Sequence, residues 1–78
     1  MPRLTPTDWR TQARIFEAFG CTLVRQRGDH LVFECPGARR PVVVPMYDEV
    51  PVTVIRGNMN TAGMSREQYF ELLHQSSV

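Results

Sequence analysis

The sequence contains no lysine, which is the clearest gap in its composition. All nine cationic side chains are arginine, and eight carboxylates bring the formal net charge to only +1. A net charge this small does not by itself indicate nucleic-acid binding. Arginine nevertheless presents a planar fork that binds phosphate through two parallel hydrogen bonds and stacks on bases. The positions of the arginines are therefore more informative than their number.

Long apolar runs are also missing. Every apolar stretch is far shorter than the ~18 residues that a membrane span needs, and the N-terminus lacks the apolar core of a signal peptide. With 42% hydrophobic residues, the composition is typical of a globular protein, and 78 residues are enough for one small domain. We expect a single domain over residues 1–78, in the cytoplasm and without membrane contact.

Cysteine and histidine are scarce, with two of each. Cys21 and Cys35 lack the CxxC spacing of redox and zinc sites, and no cluster of His, Cys, Asp and Glu has the spacing of a metal site. In a regular hairpin the two cysteines would point to opposite faces, so we expect free thiols. The sequence predicts neither a metal nor another cofactor.

The strongest local signal is the pair Gly28-Asp29, which lies between two segments rich in apolar and β-branched residues. Such a pair favours a two-residue hairpin, because Gly28 supplies the positive φ that primed turns require. Arg27 then pairs with His30, and side chains alternate between the two faces. The face expected to be buried collects Val24, Leu31, Phe33 and Cys35. The face expected to be exposed collects Arg25, Arg27, His30 and Glu34, with Leu23 and Val32.

Three helices are predicted around this hairpin. Thr5 as N-cap and Pro6 at the first helical position predict a first helix that ends at Gly20. A second helix is predicted over 51–62, although its first residues would also suit a strand. A capping box at Ser65 begins a third helix that runs to about residue 75.

Three strands are predicted over residues 21–27, 30–35 and 41–45. Pro41 and Pro45 make the third an edge strand, because proline cannot donate to a central ladder. The sequence therefore predicts an α+β fold in the order α-β-β-β-α-α, with a three-stranded antiparallel sheet.

His30 is the candidate catalytic residue. An accessible imidazole can accept and donate protons near neutral pH, and RNA supplies its own nucleophile in the 2′-hydroxyl. One histidine with a few arginines would suffice to cleave it. From the pattern alone, an exposed strand histidine is more often an ordinary surface residue. The candidate RNA-binding residues are Arg25, Arg27, Arg39, Arg40 and Arg56.

The order and spacing of several short motifs resemble those of the HicA family of toxins over nearly the whole chain. The motifs are Gly20, Gly28-Asp29-His30, Phe33, Pro36, Val44-Pro45, Ala62-Gly63-Met64-Ser65 and Glu67-Gln68-Tyr69-Phe70-Glu71-Leu72-Leu73. The resemblance implies a fold like that of the double-stranded-RNA-binding domain, with helices on one face of the sheet. It also implies a metal-independent endoribonuclease that cleaves messenger RNA (an mRNA interferase), with His30 as general acid or base. The implied partner is a HicB-like antitoxin.

Three positions differ from the family pattern. Asp29 replaces a small residue before the histidine, Tyr47 stands where many members have a second histidine, and the segment 51–55 lacks the usual basic helix start. These differences favour an alternative, a non-catalytic RNA-binding or protein-interaction module on the same fold. The sequence leaves open whether the chain forms a homodimer or a hetero-oligomer with its antitoxin.

Overall fold

The computed structural model describes residues 3–76, in which three helices and three strands form an α+β fold. The elements are α1 (Trp9–Phe19), β1 (Thr22–Arg27), β2 (His30–Glu34), β3 (Val42–Pro45), α2 (Val52–Ala62) and α3 (Arg66–Ser76). The predicted class and the order α-β-β-β-α-α are confirmed. Residues 1, 2, 77 and 78 of the expected domain lie outside the described residues.

The sheet is antiparallel, with β2 between β1 and β3. Arg27 pairs with His30 across the turn, as the Gly-Asp signal predicted. Gly28 has a φ of 59°, while no other residue type in the described chain has a positive φ. That combination suits a primed turn with glycine first, whose twist matches the flanking strands. The edge position predicted for β3 is also confirmed.

A β-bulge in β1 changes the predicted faces of the hairpin. Leu23 pairs with Phe33 and Arg25 pairs with Val32, which leaves Val24 as an extra residue between them. One extra residue moves the preceding part of a strand to the other face. The predicted burial of Val24 is therefore wrong: it is 41% exposed on the open face. Leu23 turns to the opposite side, where it remains 45% exposed at the sheet edge.

The same bulge overturns the expectation of free thiols. Because the pairing shifts by one residue, Thr22 lies opposite Glu34. Cys21, the residue before Thr22, therefore lies beside Cys35, the residue after Glu34. Cys21 and Cys35 form a disulfide with a Cα–Cα distance of 4.2 Å. The bond joins the residue before β1 to the residue after β2, at the end of the ribbon opposite the Gly28-Asp29 turn, and both cysteines are buried.

Helix α1 begins later than the sequence predicted. Its N-cap is Asp8 rather than Thr5, and the Asp8 carboxylate accepts hydrogen bonds from the backbone N–H and hydroxyl of Thr11 at 3.3 and 2.6 Å. The residues before it are extended, because Thr7 forms a β-bridge with Val50. This long-range pairing overrides the local helix signal at Thr5-Pro6. The predicted end at Gly20 is confirmed.

The other two helices agree with prediction. α2 ends at Gly63, whose left-handed φ of 75° allows its N–H to reach back to the last turn. Before α3, Ser65 and Gln68 form a reciprocal capping box: the Gln68 N–H donates to the Ser65 hydroxyl, and the Ser65 N–H donates to the Gln68 amide oxygen. The segment 51–62, whose first residues would also have suited a strand, thus forms a helix over Val52–Ala62.

The core lies between the helices and one face of the sheet. Leu31, Phe33, Val42 and Val44 point into it, and α1 and α2 pack against it. The opposite face is open, which confirms helices on one side only. None of the helices in residues 3–76 combines the length and apolar content needed to cross a bilayer.

A buried polar contact joins α1 to α3. The Gln12 amide donates to the Thr7 hydroxyl at 2.7 Å and to the Tyr69 hydroxyl at 2.9 Å. Both Gln12 and Tyr69 are almost completely buried, and burial raises the pKa of the Tyr69 phenol. Tyr69 therefore stays neutral and anchors α3 across the core.

Candidate functional site: a groove on the open sheet face

A groove of about 640 Å³ runs along the open face of the sheet. Its walls combine cationic, apolar and acidic side chains from all three strands and from the loop between β2 and β3. The lining residues are Val24, Arg25, Arg27, His30, Val32, Glu34, Cys35, Ala38, Arg39, Arg40, Pro41 and Val43. The groove therefore contains the four polar residues that the hairpin alternation predicted on the exposed face, namely Arg25, Arg27, His30 and Glu34.

His30 lies at one end of this groove as the first residue of the central strand. It pairs with Arg27 on β1 and with Pro45 on β3, so both neighbouring strands restrain its backbone. Its side chain is 44% exposed. The imidazole is thus held in position by the sheet yet remains accessible from the groove.

Asp29 orients the imidazole. Its carboxylate lies 2.9 Å from Nδ1 of His30, and the Asp29 side chain is 68% exposed. A carboxylate at this distance from Nδ1 favours the tautomer that carries its proton on Nδ1, which leaves Nε2 to accept a proton. The Asp29 carbonyl also accepts a hydrogen bond from the Met46 N–H at 2.7 Å, which ties the turn to the end of β3.

Four of the five candidate arginines line the groove. Arg25 and Arg27 come from β1 near His30, whereas Arg39 and Arg40 come from the β2–β3 loop at the other end. None of the four forms a salt bridge with another described residue. Their guanidinium groups are therefore available to an external anion.

Arg56 lies elsewhere. It is an exposed residue of α2 and is not among the residues that line the groove. Tyr47 is likewise outside that set; it is 45% exposed, and its carbonyl accepts a hydrogen bond from the Trp9 N–H at 3.1 Å. The structure thus places Arg56 on α2, outside the groove. Tyr47 instead follows the end of β3 that pairs with His30, and its N–H donates to the Pro45 carbonyl at 2.8 Å.

The sequence analysis missed Val24 as a groove residue because it assumed a regular hairpin. With the bulge, Val24 joins Val32 and Val43 on the open face. A signal that could have found this was the spacing of Cys21 and Cys35, which fit opposite each other only if β1 contains one extra residue. Within residues 3–76, no group of three His, Cys, Asp or Glu side chains could hold a metal ion.

Comparison with known protein families matches residues 9–64 to the model of the HicA toxin of bacterial toxin-antitoxin systems. The match spans α1, the whole sheet, α2 and the turn that follows it. The chain belongs to the HicA toxin family. HicA proteins are the toxins of toxin-antitoxin pairs, so membership of this family implies an antitoxin partner.

Comparisons with curated proteins and with solved structures returned no match. The likeness of the HicA fold here to a double-stranded-RNA-binding domain therefore stays a prediction. So do the role of His30 and the cytoplasmic location.

Proposed function

We propose that this HicA chain is a metal-independent endoribonuclease that cleaves messenger RNA, with His30 as its catalytic residue. The observation that supports this most directly is the oriented, accessible imidazole at the end of an arginine-lined groove. Proton transfer and neutralisation of phosphate charge are the two contributions that RNA cleavage requires from an enzyme. Both would come from this chain's own side chains.

In the proposed reaction His30 acts as general base. Nε2 takes the proton from the ribose 2′-hydroxyl, the 2′-oxygen forms a bond to phosphorus, and the bond from phosphorus to the 5′-oxygen breaks. The leaving oxygen takes a proton from water, which gives a cyclic phosphate and a free 5′-hydroxyl. General base catalysis contributes about 10²–10⁴-fold.

Arg25 and Arg27 are the residues proposed to contact the scissile phosphate. Arg27 lies opposite His30 in the β1–β2 ladder, and both arginines come from β1 and line the groove. A guanidinium group stabilises the extra negative charge that the phosphorus centre gains during the reaction. Arg39 and Arg40 would bind the RNA backbone further along, while Arg56 could reach only RNA that extends beyond the groove.

Asp29 favours a second candidate function, a non-catalytic RNA-binding or protein-interaction module. Its exposed carboxylate adds negative charge 2.9 Å from the imidazole, where it opposes the approach of a phosphate. A module of this kind would bind RNA with a marked salt dependence, because phosphate contacts release counterions, but would not cleave it.

The proposed antitoxin is a HicB-like protein. The groove contains four arginines without salt bridges to described residues, so a partner with acidic side chains would complement it. Covering this face would exclude RNA from His30. A single binding surface would thereby account for both activity and its neutralisation.

The test is expression of wild type, His30→Ala and His74→Ala in cells without antitoxin, with growth and RNA integrity followed together. His74 lies in α3, so its variant controls for loss of a histidine elsewhere. We expect growth arrest and RNA decay with wild type and His74→Ala, and neither with His30→Ala, which should lower cleavage by about 10²–10⁴-fold.

Circular dichroism would show that each variant is folded. RNA decay at the wild-type rate in folded His30→Ala would contradict the proposed mechanism. RNA binding without decay in all three proteins would favour the non-catalytic module.

A further inference from the structure

The groove is organised as three rows of side chains across the sheet. The first row contains Arg27 and His30, which are paired. The second contains Arg25, which pairs with Val32, and three valines, Val24, Val32 and Val43, which are called here the valine row. Val32 also pairs with Val43, and Val24 is the extra residue of the bulge. The third row contains Glu34 with the loop arginines. Successive rows are about 6–7 Å apart, because side chains on one face of a strand recur every second residue.

The valine row is an apolar strip on a face that is otherwise open to solvent. Val24 is 41% exposed and Val43 is 37% exposed, and both line the groove between its charged ends. A flat apolar group placed on this strip would shield the valine side chains from water. In single-stranded RNA the bases are unstacked and can offer such a face, whereas in a duplex the faces are already covered.

Glu34 is the acidic side chain of a groove that otherwise attracts anions. It is exposed, and its carboxylate forms no salt bridge with a described residue. It lies four residues from His30 on the same strand, about 13 Å away, so it is too distant to share a phosphate with the imidazole. Its position beside the valine row suits contact with the edge of a base.

Among the RNA bases, guanine offers the best pair of hydrogen-bond donors to a carboxylate. Its N1–H and its amino group point the same way and can donate two parallel hydrogen bonds to the two carboxylate oxygens. Uracil offers a single N–H flanked by two carbonyl oxygens, which a carboxylate repels. A bidentate contact typically discriminates between bases by about 10-fold or more.

We propose that the groove binds a short single-stranded RNA segment, that one base packs on the valine row, and that Glu34 selects guanine there. This inference rests on the proposed function, because it names the substrate feature that the same groove would recognise. Arg25 and Arg27 would hold the phosphate on one side of that nucleotide, and Arg39 and Arg40 the phosphate on the other.

The experiment measures binding of two fluorescent 2′-O-methyl pentanucleotides, UUGUU and UUUUU, by anisotropy. The methyl group removes the attacking hydroxyl, so binding can be measured whether or not the protein cleaves RNA. We expect wild type to bind UUGUU at least about 10-fold more tightly, and Glu34→Gln to lose most of that preference. Glu17→Gln, which makes the same charge change on an exposed residue of α1, should keep it.

Val32→Thr preserves the β-branched shape of the central valine but replaces one methyl group with a hydroxyl. It should weaken binding of both oligonucleotides by a similar factor of about fourfold. An equal affinity of wild type for the two oligonucleotides, or an unchanged preference in Glu34→Gln, would overturn the assignment of Glu34.

Failure of this inference can be told apart from failure of the proposed function. Guanine preference that disappears in Glu34→Gln, without cleavage of unmodified RNA, would support the binding site while contradicting the ribonuclease. Cleavage of unmodified RNA without guanine preference would overturn the inference alone. Binding of neither oligonucleotide would also overturn it.

Discussion

Asp29 is the residue whose role is hardest to assign from sequence, and geometry gives it two opposing effects. Its charge repels an approaching phosphate, whereas its 2.9 Å contact with Nδ1 orients His30. The position of the imidazole matters more for proton transfer than one added charge at an exposed site, where water screens it. We therefore interpret Asp29 as a positioning residue.

Replacement of Asp29 by Asn and by Ala separates the two effects. Asn keeps an oxygen that accepts the Nδ1–H hydrogen bond, whereas Ala removes it. We expect Asp29→Asn to keep a kcat close to that of wild type and Asp29→Ala to have a kcat about 10-fold lower. Steady-state cleavage of an RNA oligonucleotide measures both values. Equal kcat values for the two variants would show that Asp29 does not position His30.

Asp8 gives the fold a dependence on acid pH. The hydrogen bond from the Thr11 hydroxyl is the main reason that the pKa of the Asp8 carboxyl lies below its ordinary value of 3.8. A lowered folded-state pKa means that the ionised carboxylate stabilises the fold above the ordinary pKa. That contribution is lost as the pH falls through the lower, folded-state pKa.

Asp8→Ala should therefore lower the free energy of unfolding by about 1 kcal/mol at neutral pH, where the helix loses its N-cap. Below the folded-state pKa, wild type and variant should converge. Urea denaturation at a series of pH values, from neutral to strongly acidic, measures both. A stability difference that is the same at every pH would show that the ionised carboxylate is not responsible.

Among the structural elements, β1 depends most on a single covalent link. All six of its residues are exposed, and it is an edge strand held by β2 on one side. The Cys21–Cys35 disulfide closes the ribbon at the end opposite the turn. It thereby restrains the strand that contributes Arg25 and Arg27 to the groove.

Removal of the disulfide should weaken the whole fold. The bond closes a loop with a sequence separation of 14, and a loop of this size contributes about 2–3 kcal/mol by restricting the unfolded chain. We expect the double variant Cys21→Ala, Cys35→Ala to unfold at lower urea than the oxidised wild type. A thiol reductant should lower the midpoint of wild type and leave that of the variant unchanged. A wild-type midpoint that does not respond to full reduction would contradict this contribution.

The elements that could be predicted from sequence are those fixed by neighbours in the chain. Gly28 sets the hairpin, Gly63 ends α2, and Ser65 with Gln68 begins α3 through contacts only three residues apart. Each of these signals is a local backbone requirement, which a sequence displays directly.

The elements that were predicted wrongly depend on distant residues. Helix α1 starts at Trp9 because the segment before it pairs with Val50, and no local pattern near Thr5 reveals that bridge. The bulge at Val24 likewise becomes visible only in the pairing of β1 with β2. In the candidate site, His30 with Arg25 and Arg27 was predictable from alternation. The contribution of Val24 could be inferred only by pairing Cys21 with Cys35, and the position of Arg56 outside the groove required the tertiary structure.

For the molecule as a whole, the distribution of charge matters more than its sum. The net charge of +1 combines nine arginines with eight carboxylates. Four of those arginines line one groove, whereas Glu17, Glu67 and Glu71 belong to the helices that cover the other face of the sheet. A nearly neutral protein can therefore present a locally cationic surface to an anionic partner.

The hydrogen bond between Gln12 and Tyr69 also sets an order of events during synthesis. The two residues are 57 positions apart, so the face of α1 that α3 covers stays open until the chain has been made as far as Tyr69. Contacts of such long range form slowly because closing the loop costs entropy, and a domain generally folds as a unit. A nascent toxin thus lacks part of its core while it is being translated, which gives an antitoxin already present in the cell time to meet it before it is fully folded.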